Sequence, residues 1–438
     1  MSLTDPMETP TVAVTAGGEL NPAVAADHSE FPEPSRVSAW FITVYTVMTF
    51  AANLTMLGPM LFGLAYKIQL IDPDGKEASL GLVVGIGALF NIVVTPLAGV
   101  LSDRTRTRFG RRRPWIAAGI AICAAAGSTI ALAPSVLLIG TAWVVYIIGL
   151  AAVLSALAPV LAGQIPKAQR GKVGALSGAS TQLAGVAASV AGSLLTGNVL
   201  LMFVLPVGLL LVAFVVYIFV IPDRLPVKAV VREPLSRVFQ QLIFDPRKHR
   251  DFALVWFGRF FFQVGLTFFS TYQLYFLLDR IGLTPETAGQ RLALVGGIGI
   301  IVTTGFAIVG GILSDKVQRR KPFIYLASAL AATGLSLMAF APNVPVYAIA
   351  TLFILAAAGL FGSVDLALAS DLVPDRSEAG RWMSILNVAG YIPSAVAPVV
   401  APMILLVGEG QNYTALYLTG ALIATGAGLT AWRIRKAR

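Results

Sequence analysis

Two ionisable side chains lie inside long apolar stretches of this sequence. Arg259 follows FALVWFG, and Asp365 stands within LFGSVDLALA. A carboxylate in apolar surroundings can take up and release a proton, and a guanidinium nearby favours its charged form. Reversible proton binding is therefore the chemistry that this pair could perform. A static salt bridge that holds two helices together is the structural alternative.

Polar side chains recur at helical spacing in three of the apolar stretches. On a helix of about 100° per residue, each set falls within an arc of about 120°. The first stripe comprises Arg259, Gln263, Thr267, Ser270 and Gln273, the second Thr43, Thr46, Thr49 and Asn53, and the third Ser384, Asn387, Tyr391 and Ser394. Stripes of this kind predict a wet cavity.

Neutral hydroxyl and amide groups beside aromatic rings suit a polyhydroxylated ligand, which needs hydrogen bonds and an apolar face. The aromatic candidates are Trp143, Tyr146, Tyr272 and Tyr391. A Ser or Thr hydroxyl in a membrane helix often bonds its own backbone instead. The amide side chains are therefore the stronger ligand candidates: Asn53, Gln263, Gln273 and Asn387.

A basic segment occurs twice in the chain. Residues 99–116 read GVLSDRTRTRFGRRRPWI, with six arginines within ten residues, and residues 311–324 read GILSDKVQRRKPFI. A second pair of segments matches as well: Ile165-Pro166 precedes Arg170-Gly171, and Val373-Pro374 precedes Gly380-Arg381. The two halves of the chain are therefore expected to descend from a duplication.

Composition places these residues in a membrane. Of the 438 residues, 56% are hydrophobic and 12% charged, which lies outside the range of soluble domains. The net charge of +10 is spread over short clusters between apolar stretches, a pattern of membrane topology and not of nucleic-acid binding. One cysteine and two histidines, both in polar segments, predict no disulfide framework, no metal site and no cofactor.

Twelve stretches contain the roughly 20 mostly apolar residues that cross a bilayer. Because backbone groups in lipid must be paired internally, these spans must be helices and the fold class all-α. The predicted spans are 38–66, 78–101, 115–133, 136–163, 173–197, 199–221, 252–278, 287–313, 323–341, 345–370, 381–408 and 413–433. Glycine pairs such as Gly81 with Gly85 and Gly174 with Gly178 predict close helix contacts.

The distribution of Lys and Arg predicts the orientation. With an even number of spans, 27 of the 32 Lys and Arg fall on one side, which the positive-inside rule makes cytoplasmic. Lys67, Lys76, Arg280 and Arg291 are assigned to loops on the opposite side. Both termini are therefore expected in the cytoplasm, with the chain embedded in the cell membrane.

The repeat and the spans together predict four parts. Residues 1–37 form a disordered cytoplasmic tail, 38–221 a six-helix bundle, 222–251 a cytoplasmic linker, and 252–438 a second six-helix bundle with a short basic end. Two pseudo-symmetric bundles can rock about a central site, which is the arrangement of transporters.

The first basic segment resembles the signature between helices 2 and 3 of the major facilitator superfamily. Its long, arginine-rich form is similar to that of the sucrose-proton and glycoside-cation symporters, and the resemblance covers about residues 38–435. It implies that helices 1, 4, 7 and 10 line a cavity. It also implies that the basic loops make charged contacts to the other half that close the cytoplasmic side, through Asp103, Arg104, Arg111, Arg112 and Arg113 and through Asp315, Arg319 and Arg320. Gly99 and Gly311 belong to the same predicted gating segments, where a glycine lets helices approach.

The sequence departs from these symporters at their cation sites. Symporters of the melibiose kind bind the cation with carboxylates on helices 2 and 4, where this chain offers Asn91, Thr141 and Ser155. Sucrose symporters carry charges near the cytoplasmic end of helix 4, whereas SALAPVLAGQIP has none. A cation site is therefore expected elsewhere.

Depth in the membrane singles out Arg259 and Asp365. Each lies six or seven residues from the predicted cytoplasmic end of its helix, or about 10 Å at 1.5 Å per residue. Because a lone charge there costs several kcal/mol, we expect the two to be partners or to share a water-filled pocket. Asp365 is the candidate for proton coupling, with its affinity set by Arg259.

These features favour secondary active transport by alternating access, with proton-coupled uptake of a sugar or glycoside as the leading hypothesis. Efflux of amphipathic compounds is the alternative, which the aromatic segment WFGRFFF keeps open. An enzyme would need a constellation of reactive groups at one depth, and a sensor is equally disfavoured. The expected partners are a small-molecule substrate, a proton and the lipid bilayer, with no nucleic acid, and the chain is expected to be a monomer.

Overall fold

The computed structural model describes residues 36–223, 244–375, 378–408 and 411–434, without the side chains of residues 162, 167, 379 and 380. Most of the predicted tail, 1–37, and most of the predicted linker, 222–251, lie outside the described residues. The described chain forms twelve long helices and no β-sheet, which confirms the predicted all-α fold class.

The twelve helices follow the predicted order. They are α1 Ala39–Ile71, α2 Lys76–Arg104, α3 Arg113–Leu132, α4 Val136–Gln164, α5 Lys167–Leu194, α6 Val199–Val220, α7 Arg250–Arg280, α8 Pro285–Val317, α9 Lys321–Ala339, α10 Val344–Asp371, α11 Ala379–Leu405 and α12 Tyr413–Arg433. In the described part of the chain, eleven are long and apolar enough to cross a membrane. The twelfth, α5, is long enough but less apolar, because five Gly, four Ser and two Gln stand among its 28 residues.

Local chemistry sets where many helices begin. Side chains of Ser38, Ser135 and Asn198 accept a backbone N–H in the first turn of α1, α4 and α6. The two basic segments each place a proline, Pro114 or Pro322, at the start of the next helix. A proline there loses no hydrogen bond, because the first N–H groups of a helix have no partner in it.

Several helices are longer than the predicted spans. Lys67 lies in α1, Lys76 begins α2 and Arg280 ends α7, all beyond the predicted spans, so their assignment to loops was wrong. The assignment of Arg291 was wrong as well, because it lies in α8 and within the predicted span 287–313. The helices continue past the apolar residues because their backbone hydrogen bonds do not depend on lipid. Polar and charged residues thereby enter the packed ends of the helices.

The two halves repeat one packing scheme. In the first half, α1 packs against α5 and α6, α3 packs against α4 and α6, and α2 packs against α4. In the second half, α7 packs against α11 and α12, α9 against α10 and α12, and α8 against α10. The halves meet where α2 packs against α11 and α5 against α8. The structure thus has the symmetry that the sequence repeat predicts.

Among the residues that the structure describes, the two halves approach one another closely at one end. We call the end with loops 105–112 and 318–320 the basic end and the opposite one the far end. Near the far end, a Cβ on Gly81 would lie 2.2 Å from the Pro398 carbonyl oxygen, and one on Gly289 would lie 2.6 Å from Ser193 Cβ. Towards the basic end, no described atom lies within 4 Å of such a Cβ on Gly174, Gly178 or Gly305. The structure therefore opens towards the basic end.

Candidate functional site: an intramembrane ion pair and polar stripes

Helices α7 and α10 bring the two isolated charges together. Arg259 Nη1 lies 3.1 Å from Asp365 Oδ2, and the side chains are 25% and 5% exposed. Although the distance is that of an ion pair, Arg259 Nη1 has no hydrogen bond of good geometry. Coulomb attraction between the charges therefore holds the pair, and the guanidinium is the member that water can reach.

Apolar packing fixes the two helices around this pair. The rings of Phe262 on α7 and Phe361 on α10 stack with their centroids 3.9 Å apart. Gly390 of α11 lies beside the guanidinium, where an added Cβ would make an ordinary contact of 3.7 Å with Arg259 Nε. The sequence did not reveal that α11 passes beside this pair.

The hydroxyls of the polar stripes bond mainly to their own helices. Thr49 and Thr267 donate to the backbone carbonyls of Tyr45 and Gln263, at 2.9 and 2.8 Å. Three further stripe residues do the same, namely Thr43, Ser270 and Ser394. Thr46 Oγ1 is buried without a described partner. As the sequence suggested for single hydroxyls, most of these donors are satisfied within their helix.

The amide residues of the stripes divide into two groups. Asn53 donates to the Thr49 carbonyl at 2.8 Å, and Gln273 accepts from Tyr347 at 3.4 Å. Gln263 is half-buried and Asn387 is exposed. The last two therefore remain the stripe amides best placed to meet a ligand.

Three of the four aromatic candidates are not accessible to a ligand. Trp143 stacks on Tyr146 with ring centroids 5.5 Å apart, and these rings are 3% and 0% exposed. Tyr272 is fully buried and donates to the Pro398 carbonyl at 2.9 Å. Tyr391 is 52% exposed. The expectation of ligand stacking therefore fails for Trp143, Tyr146 and Tyr272, which fill contacts between helices.

Proline explains why some carbonyls are free to accept these tyrosines. The carbonyl of Pro398 would normally accept the N–H of residue 402, which is a proline and has none. In the same way Pro59 leaves the Thr55 carbonyl free, and Tyr146 donates to it at 2.8 Å. Pro59 also begins a π-helical turn, Pro59–Gly63, that places the buried Phe62 ring beside Gly192 and Gly289.

Comparison with known proteins decides the family. Residues 39–398 and 301–438 match the family model described as Major Facilitator Superfamily. The chain belongs to the major facilitator superfamily. It is a transporter with many membrane-spanning helices, and not an enzyme.

Individual relatives align over short stretches. One stretch of 52 residues, 12% of this chain, is 48% identical to an uncharacterized symporter of Synechocystis sp.. Another, of 102 residues and 23% of the chain, is 34% identical to the general alpha-glucoside permease of Schizosaccharomyces pombe. The chain spans 10% and 18% of the lengths of these relatives.

Solved structures agree in fold. The crystal structure of the nucleoside transporter NupG matches with a TM-score of 0.72 at 12% identity, over 91% of this chain and 100% of that one. At this identity the likeness shows the fold.

The first basic loop of this superfamily member is tied to its own half. Arg111 forms an ion pair with Asp103. Asp223, at the end of α6, accepts the backbone N–H of Arg112 at 2.7 Å and of Arg113 at 3.1 Å. The Arg113 side chain donates to two carbonyls of the α6 end. Asp223 was not among the predicted residues.

The second basic loop is built in a similar way. Arg320 bonds Asp315 at 2.9 Å and Asp371 at 2.6 Å, all within the second half. Arg319 is exposed, and a Cβ on Gly311 would meet Ser363 at 3.9 Å, whereas one on Gly99 would meet nothing within 4 Å. Because the halves diverge at this end, the predicted contacts between the basic loops and the opposite half stay a prediction for another conformation.

The polar residues at the relatives' cation positions make internal bonds. Asn91 of α2 accepts from Thr95 at 2.8 Å, and Ser155 of α4 donates to the Thr95 carbonyl at 3.0 Å. Thr141 donates to carbonyls of its own helix. None of these three side chains supplies a carboxylate, so Asp365 stays the acid that this transporter offers beside the stripes.

Proposed function

We propose that this transporter takes up a sugar or glycoside together with a proton. The observation that carries the proposal is the pair of Arg259 and Asp365, a nearly buried acid beside a partly accessible guanidinium. An intramembrane acid is costly to keep and typically marks an ion or proton pathway. A contact that only held the two helices together would need neither charged side chains nor a guanidinium that water can reach.

The substrate class is inferred from polar side chains of α7, which also carries Arg259, and of α11. Gln263, Asn387 and Tyr391 combine amide and hydroxyl groups with an exposed ring, as a polyhydroxylated ligand requires. The name of one relative, an alpha-glucoside permease, supports the same class, and the name of another, a symporter, supports coupling to a second solute.

The transport cycle would alternate between two arrangements of the halves 38–221 and 252–438. The basic end is cytoplasmic by the positive-inside rule, so the present conformation is open to the cytoplasm and the far end faces outside. The substrate and the proton would be released into the cytoplasm in this conformation. The basic end would then close and the far end open, so that a new substrate and a new proton could bind from outside. A basic end in the cytoplasm and a far end outside the cell place the transporter in the cell membrane.

The acid would couple the two solutes through its charge. Asp365 binds a proton when the site faces outside, where the proton neutralises the buried carboxylate. When the site faces the cytoplasm, Arg259 lies 3.1 Å from Asp365 and favours the charged form of the carboxyl group, which assists release of the proton. The proton gradient thereby favours one direction of the cycle.

Uptake into proteoliposomes tests this proposal. The purified transporter is screened by thermal shift against sugars, glycosides, nucleosides and cationic drugs, and stabilising compounds are then tested for uptake with and without a pH gradient. We expect saturable accumulation of a sugar or glycoside only with the gradient. A cysteine replacing Arg108 in the basic loop, labelled with an impermeant thiol reagent, reports the orientation of the inserted protein.

Efflux of amphipathic compounds is the second candidate. The segment around Arg259 exposes Phe257 to 40% and stacks Trp256 on Phe260, which would suit flat apolar ligands. Saturable transport of cationic drugs with no response to sugars would favour this candidate and overturn the first.

A further inference from the structure

A second group of ionisable side chains joins the two halves at the far end. We call Lys76, Glu77, Asp279 and Tyr413 the far-end cluster. Lys76 Nζ bonds Asp279 Oδ1 at 2.6 Å, and their side chains are 7% and 23% exposed. Glu77 is 7% exposed. Lys76 and Glu77 belong to the first half and the other two to the second, so the cluster forms only while the far end is closed.

Tyr413 connects the two carboxylates. Its hydroxyl lies 2.7 Å from Asp279 Oδ2 and 3.3 Å from Glu77 Oε1. A phenol has one proton to donate, and the shorter distance assigns it to Asp279. A charged Glu77 would then face the lone pairs of the Tyr413 oxygen. A protonated Glu77 can instead donate to that oxygen, which gives an unbroken chain from Glu77 through Tyr413 to Asp279 and Lys76.

The charges of the cluster lead to the same assignment. Among the described residues, the ionisable groups that face Glu77 are Lys76, Asp279, Tyr272, Tyr275 and Tyr413. One ammonium group thus serves two carboxylates, and it lies against Asp279 and over the Tyr275 ring. A single proton on Glu77 makes the buried cluster neutral, whereas a charged Glu77 leaves an uncompensated buried charge.

We propose that the far-end cluster is a proton-operated gate, in which Glu77 holds a proton while the halves are in contact and releases it to the outside solution when they separate. The proton is bound at a carboxylate oxygen and is exchanged with water on the far side. Since the closed far end binds one proton more than the open one, low external pH favours closure and high pH favours opening. The proposal rests on alternating access and on the orientation in the proposed function, and not on the substrate or on Asp365.

Distances between spin labels test the gate without a substrate. Cys123, the single cysteine of the chain, is replaced by Ala, and cysteines replace Leu194 at the end of α5 and Gln290 at the start of α8. For the otherwise unchanged protein we expect the short distance near pH 5 and a growing long-distance population towards pH 8. One linked proton changes the ratio of the populations by up to about tenfold per pH unit.

Two substitutions in the cluster should act in opposite directions. Glu77→Gln keeps the shape and the neutral charge, so the short distance should persist at both pH values. Lys76→Met leaves two carboxylates without their cation, so the long distance should increase. Asp72→Asn is the matched control, because Asp72 lies at the same end and bonds Gly75 and Ser79 of its own half.

The proposal is overturned if the protein with Glu77 shows no pH-dependent distance change, or if Glu77→Gln retains that change in full. A pH response that Asp365→Asn removes and Glu77→Gln leaves intact would also overturn it, since the proton would then belong to the ion pair. Failure of sugar uptake does not bear on these measurements, so the gate and the proposed function can fail separately.

Discussion

At the scale of single residues, Asp365 and Arg259 differ in the chemistry open to them. A carboxyl group has a neutral form, whereas a guanidinium stays charged at any pH that a protein tolerates. The member that can change its charge is also the more buried one, at 5% against 25% exposed. A proton acceptor shielded from water, beside a fixed charge that water reaches, is an arrangement suited to reversible proton binding.

Asp365→Asn tests this role directly. The amide cannot take up a proton, so uptake against a concentration gradient should fall to the level measured without a pH gradient. Exchange of labelled for unlabelled substrate across the membrane should persist, because exchange needs no net proton movement. Both are measured in proteoliposomes with the substrate found in the screen.

The double variant Arg259→Gln with Asp365→Asn is the control for folding. It replaces the ion pair with two neutral amides and leaves no buried charge unpaired, the main cost of removing one partner alone. Gradient-driven uptake by either variant would show that the pair is a structural salt bridge. Recovery of stability and exchange without gradient-driven uptake supports the coupling role.

At the scale of helices, small residues decide how closely the halves approach. Gly81 and Gly85 of α2 lie against the α11 backbone, where added Cβ atoms would be 2.2 Å from the Pro398 oxygen and 2.9 Å from the Ala395 oxygen. Backbone atoms at such positions cannot yield as a flexible side chain can. The sequence prediction of close contact is confirmed for this pair, whereas Gly174 and Gly178 face open space in this conformation.

Gly81→Ala should therefore shift the transporter away from the conformation with the closed far end. Overpacking costs of about 1 kcal/mol already change a ratio of conformations roughly fivefold. The readout is the labelling rate, at one pH, of a cysteine replacing Ser193, which is 5% exposed on α5 beside Gly289. The rate should rise in the Cys123→Ala background.

Gly208→Ala serves as the matched control, because a Cβ on this α6 residue would meet no described atom within 4 Å. Its labelling rate should equal that of the background protein. Equal rates for Gly81→Ala as well would mean that α2 and α11 can separate slightly without opening the far end.

The same scale explains what sequence could predict. Number and order of helices followed from apolar length, and the pairing of Arg259 with Asp365 followed from equal depth. The far-end cluster could not be found in this way. The predicted span 78–101 began one and two residues after Glu77 and Lys76, and the span 252–278 ended one residue before Asp279. The burial of Trp143, Tyr146 and Tyr272 could not be predicted either. It depends on partners far away in the sequence, such as the Pro398 carbonyl that Pro402 leaves free, and the spacing of polar residues along one helix does not reveal them.

At the scale of the whole molecule, the two halves have nearly the same fold, but the structure is asymmetric because its far end is closed and its basic end is open. In this state the far end is joined by the far-end cluster and by Tyr275, which donates to the Ala65 carbonyl at 2.8 Å. Charged residues of the basic loops form ion pairs within their own halves, Arg111 with Asp103 and Arg320 with Asp315 and Asp371. The predicted contacts across the opening would need these charges to leave their present partners, so the loops stay candidates for the gate on that side.

Asp103→Asn should therefore slow the cycle more than it weakens binding. Asp103 is remote from the stripes, so the concentration of substrate that gives half-maximal binding should change by no more than about twofold. The exchange rate should fall by about tenfold, which corresponds to about 1.4 kcal/mol in the conformational step. Binding is measured on purified protein and exchange in proteoliposomes.

Arg106→Gln is the matched control, since it removes a charge from the same exposed loop without touching the pair of Asp103 and Arg111. It should leave both binding and exchange unchanged. If Asp103→Asn inserts normally and exchanges at the original rate, the loop serves only to orient the chain in the membrane. If both variants slow exchange equally, the total charge of the loop matters and no specific contact of Asp103 is needed, since screened surface charges act collectively and not in pairs.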